Sequence, residues 1–121
     1  MPGNQHESLD AAKAKLALPE NALLEELGAS IEGSEAIDLR TIKPEVLRQR
    51  ALRWFDAHQG FLRQKICVDW NYKEKIKDPR YQDRLFLAAA LADLVGGSLK
   101  GVSPFTVVAF LLKRGLEKLC P

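Results

Sequence analysis

Two stretches of this chain are apolar on every side. Residues 85–92 read Leu-Phe-Leu-Ala-Ala-Ala-Leu-Ala, and 105–112 hold Phe105, Val107, Val108, Ala109, Phe110, Leu111 and Leu112 around a single threonine. A helix with no polar face must be surrounded, either by other helices of the same chain or by another chain. Asp78 and Pro79 stand before the first stretch, and Ser103 and Pro104 before the second. A side chain that can cap followed by a proline is the start signal of a helix. Val107 and Val108 suit a strand, but the cap and the length of 105–119 favour a helix. The residues therefore predict an all-α domain, a compact bundle of about five helices with the last two at its centre and the N-terminal segment peripheral.

The other helices carry one apolar stripe each. A weak helix is expected over 9–17 after Ser8, and a second over 19–27, opened by Pro19 and stopped by Gly28. Leu23, Leu24 and Leu27 share its inner face. Residues 29–43 read as a linker, with a turn at Gly33 and Ser34. Pro44 opens the next helix, where Leu47, Ala51, Trp54, Phe55 and His58 recur at helical spacing. Continuing that stripe past Gly60 would put Lys65 at its centre and leave Ile66 and Trp70 off it, so a kink or break near Gly60 is expected. The organisation is then an acidic helical segment and linker over 1–43 and a helical core over 44–121.

A chain of 121 residues encloses one core of this kind and leaves no room for a second of similar size. Two cysteines, Cys67 and Cys120, are too few for a disulfide scaffold, and each is expected to act as a small buried hydrophobe. The polar, acidic start of the chain offers no secretory signal, so the cytoplasm is the default location. The longest apolar run, 85–95, is interrupted by Asp93 and closed by Gly96 and Gly97, short of the ~20 residues that span a bilayer.

Chemistry-bearing patterns are sparse. Cys67, His58 and Asp69 are the types of a nucleophilic set, yet nine residues along one helix place Cys67 opposite His58. No Cys pair has zinc spacing and no two His lie a helical turn apart. Gly96 and Gly97 follow a helix rather than a strand, so they do not cradle phosphate. Residues 90–115 imitate a helix-turn-helix, but the recognition positions would hold Phe105, Val107 and Val108, which cannot read base edges. No cofactor, no metal and no enzymatic activity are expected.

Charge is uneven. Residues 1–42 carry three basic side chains against eight acidic, and 43–84 carry eleven against six. Two functions follow as expectations. The first is a noncatalytic protein-interaction module, a subunit or adaptor meeting another protein or its own copies through Trp70, Phe105, Val108 and Leu112. The alternative is a sequence-independent nucleic-acid-binding subunit, in which Arg48, Arg53, Arg63, Lys65, Lys73, Lys75 and Lys77 meet phosphates while Trp70 and Tyr72 stack on bases.

Overall fold

The computed structural model describes residues 5–31 and 42–121, with side chains from Leu9 onward. Those residues form seven α-helices and no strand. Five are of eleven residues or more: α1 (Gln5–Leu16), α2 (Glu20–Ile31), α3 (Pro44–Arg63), α5 (Arg84–Gly96) and α6 (Pro104–Arg114). Two single turns, α4 (Tyr72–Lys75) and α7 (Leu116–Leu119), complete the set. The all-α bundle expected from the apolar pattern is what the chain forms.

α6 is the axis of the molecule. Ser103 caps it by accepting the Thr106 N–H, and six consecutive residues, Thr106 to Leu111, are buried. α2 and α1 pack on one side of it and α5 on another, while Phe55 of α3 stacks on Phe110 with ring centroids 4.6 Å apart. The apolar surface that invited self-association is thus covered within one chain. Among the described residues only Leu52 and Val68 are large hydrophobics left exposed. The one buried polar side chain that the described residues show, Thr106, donates its hydroxyl to Glu26 Oε1 at 3.1 Å, which removes the cost of an unpaired group.

The N-terminal helices are more than a peripheral coat. Ala12, Leu23, Leu24 and Leu27 are all buried in the common core. Gly28 does not stop α2, which continues to Ile31. It lies where α3 crosses so closely that an added Cβ would sit 2.7 Å from the Leu47 carbonyl carbon. The glycine is there for the approach of two backbones, not for a turn. Ion pairs then tie this acidic region to the rest: Arg48 with Glu25 at 2.6 Å and Arg114 with Glu20 at 3.0 Å, both partly solvated and so worth at most about 1 kcal/mol each. The turn expected at Gly33 and Ser34 lies outside the described residues.

Three further boundaries differ from expectation. α3 continues through Gly60 to Arg63 without a break, and the change of winding comes at a π-helix, Gln64–Asp69, closed by a Trp70 N–H bond to Lys65 O at 3.0 Å. The wider turn restores Ile66 to the core, where it is fully buried. The helix expected to start at Asp78 and Pro79 is split in two. Asp78 caps a short 3-10 turn, Pro79–Gln82, and Asp83 then caps α5 by accepting the Leu85 N–H at 2.9 Å. Finally, α6 ends at Arg114 because Gly115 takes a φ of 99°, which lets the chain fold back as α7.

Cys67 and Cys120 are not separate hydrophobes. They form a disulfide, with Cα atoms 5.4 Å apart, that joins the π-helix to the residue after α7. Spacing in the sequence could not reveal this, because two cysteines 53 positions apart are brought together only by the whole tertiary fold.

Candidate functional site

Leu52, Phe55, Asp56, Gln59 and Leu62 recur at i, i+3, i+4, i+7 and i+10, which puts them on one face of α3. Across from that face stand Phe110, Leu111 and Arg114 of α6, then Gly115, Lys118 and Leu119. Between the two walls lies an open groove of about 170 Å³. Phe55 and Phe110, stacked on each other, are part of its lining. The C-terminal wall is held in place by burial of Leu116 and Leu119, by an Arg63 Nε–H bond to Leu119 O at 3.0 Å, and by the adjoining disulfide.

The rim is charged and asymmetric. Asp56 on the α3 wall and Lys118 on the opposite wall are exposed, and neither makes an ion pair among the described residues. Arg114 is already engaged, bonded to Glu20 and lying over the Phe110 ring at 5.0 Å. The volume admits one bulky apolar side chain and falls below the ~300–1,000 Å³ of sites for cofactors and drug-sized ligands.

The residues singled out from the sequence do not converge on this groove. Val108 is fully buried, so it has no surface to give a partner. Phe105 and Leu112 are half-buried against the core. Trp70 is half-buried elsewhere, edge-on to Tyr81 with centroids 5.1 Å apart. The basic residues scatter as well. Arg48 pairs with Glu25, Arg63 bonds a backbone carbonyl, Lys77 pairs with Glu74 at 3.2 Å, and Arg53 is exposed on α3. Lys65, Lys73 and Lys75 remain outside any ion pair among the described residues.

No nucleophilic set is assembled. Cys67 is bonded to Cys120, Asp69 accepts from Gln64 at 2.9 Å, and His58 stacks on Trp54 while its Nδ1 meets the Trp54 carbonyl at 2.8 Å. Asp93 is exposed near the end of α5. Among the described residues no cluster of His, Cys, Asp or Glu could hold a metal ion, and no helix is long and apolar enough to cross a membrane.

Tyr72, expected to stack on bases, is buried, and burial together with the Glu117 carboxylate holds its phenol above the ordinary value. The Arg80 side chain bonds Asp78 at 2.8 Å and lowers that carboxyl below its usual range, with the Arg80 backbone N–H adding to the effect. The signal for the groove was present in the sequence: Leu52 is apolar but lies beside the α3 stripe rather than on it. No known protein family, curated protein or solved structure matches this chain.

Proposed function

We propose that the protein is a noncatalytic interaction module that receives one bulky apolar side chain of a partner protein in the groove between α3 and the C-terminal wall. The observation that carries this reading is the groove itself: a stacked aromatic pair in its lining, a volume suited to one anchor residue, and an acid and a base on opposite walls that make no ion pair among the described residues. Few buried aromatic or aliphatic anchors dominate protein interfaces, and rim charges set orientation and rate more than affinity. The fitting partner is therefore a peptide segment with an anchor flanked by a carboxylate toward Lys118 and a cation toward Asp56.

Peptide display selected on the wild-type chain, with Leu52→Glu as counter-selection, tests this. Expected winners share one large apolar residue beside an acid, and their binding perturbs the amide signals of Phe55, Phe110 and Leu119. Winners that bind Leu52→Glu equally well, or perturb another surface, overturn the groove reading. Cytoplasmic residence belongs to the same proposal and implies that Cys67 and Cys120 spend time as thiols, since cytosolic reductants attack disulfides. Rapid alkylation in intact cells followed by mass spectrometry checks it; a bond found fully formed moves the protein to an oxidising compartment.

A further inference from the structure

We propose that the surface running from the π-helix to the first turn of α5 binds single-stranded nucleic acid. This goes beyond the groove and shares no residue with it. The surface is a row of three rings in contact, with cations lying over them. Lys75 Nζ stands over Trp70 at 5.8 Å, Trp70 meets Tyr81 edge-on at 5.1 Å, and Tyr81 lies 5.4 Å from Phe86. Arg80 spans the last two rings, at 5.6 Å and 5.9 Å. Close cation–ring approaches of energetic weight occur about once per 70–80 residues. Here three of the four in the described residues fall between Trp70 and Phe86.

The charge balance of the segment sharpens the case. Every acid in it is occupied: Asp69 accepts from Gln64, Glu74 pairs with Lys77, Asp78 pairs with Arg80, and Asp83 caps α5. Lys65, Lys73, Lys75 and Arg84 make no ion pair among the described residues; Lys75 lies over the Trp70 ring, with its charge also acting on the Asp78 carboxyl. The net effect is a positive surface interleaved with half-buried aromatic side chains. Phosphates answer the lysines and bases answer the rings, and sequence-tolerant stacking on aromatics beside a basic track is how single strands are held. An acidic protein segment would use the cations and leave the rings idle. A lipid surface calls for apolar tips free to insert, whereas these rings lean on one another.

The test is fluorescence anisotropy of a labelled oligothymidylate of about 15 nucleotides across a salt series. Binding should weaken linearly on logarithmic axes, and the exposed triple variant Lys73→Gln, Lys75→Gln, Arg84→Gln should flatten the slope by about 2, since each neutralised phosphate contributes about 0.7 on a single strand. Trp70→Leu should lower affinity about tenfold. In case that variant fails to fold, Trp54→Phe leaves Trp70 as the sole tryptophan, and its fluorescence should be quenched as the strand binds. The inference is overturned by no binding at about 0.1 mM protein in low salt, where nonspecific binders register. It is equally overturned by an unchanged slope in the triple variant, by no quenching, or by polyglutamate or anionic vesicles binding as tightly as the oligonucleotide. Leu52→Glu should leave the oligonucleotide affinity unchanged, which separates this result from the fate of the groove.

Discussion

Between Thr106 and Leu111 every side chain is buried, whereas between Asn71 and Gln82 only Tyr72 is. The first region is ordered by the removal of apolar surface from water, with α1, α2, α3 and α5 supplying the cover. The second is ordered by local polar bonds: an Asp78 cap, an Asp83 cap, an Asp78–Arg80 pair and cations lying on rings. Burying a large apolar side chain contributes about 1.5–3 kcal/mol, while an exposed pair contributes at most about 1 kcal/mol. Stability therefore resides in the core, and the intervening segment keeps most of its side chains in contact with solvent.

The largest effect should come where the two regions are joined. Replacing both Cys67 and Cys120 by Ser frees a loop whose ends are 53 residues apart, and the chain-entropy relation gives a loss of about 4 kcal/mol in chemical denaturation. A loss near zero would mean that the intervening segment holds its place without the bridge. Next, Leu91→Ala in the fully buried face of α5 should cost about 3 kcal/mol through lost contacts and a residual cavity. An exposed change such as Lys73→Ala should stay within about 0.5 kcal/mol; equal costs for the two would erase the contrast.

Gly28→Ala should destabilise by about 2 kcal/mol, because α2 and α3 must separate to admit one methyl group. That outcome is opposite to the gain expected from the same change in an open helix. The smallest effect concerns pH. The Tyr72 phenol titrates above its ordinary value of 10.0 in the folded chain, so above that pH the unfolded chain loses its proton first. Its contribution is complete below about pH 10 and is lost as pH rises through the folded-state value. Thermal melts in alkaline buffer should show a decline that Tyr72→Phe reduces.

Much of the core was legible because it obeys period and punctuation. Leu47, Ala51, Leu23 and Leu27 lie on the stripes their spacing defines, and the Ser103–Pro104 signal starts α6 where it should. The misreadings share a cause: each feature depends on something distant in the chain. Gly28 reads as a stop unless Leu47 is known to cross it. Cys67 reads as a lone thiol unless the C-terminus is known to return. Val108 reads as available surface until the other helices bury it in the core. The groove was partly visible in Leu52, but its second wall exists only because Gly115 redirects the chain.

The π-helix carries a consequence for the rotational phase of everything after it. An α-helix closes its backbone rings at every fourth residue, and one closing at every fifth holds one residue more in the same turn. Winding the same six residues, Gln64–Asp69, as ordinary α-helix would thus pass about 100° of angular offset, one residue's worth, to the next residues. The sequence would be untouched, yet Cys67 would swing away from Cys120 and Trp70 away from Tyr81. Six residues act here as a spacer of angle rather than of length, and both the bridge and the row of rings are aligned by it.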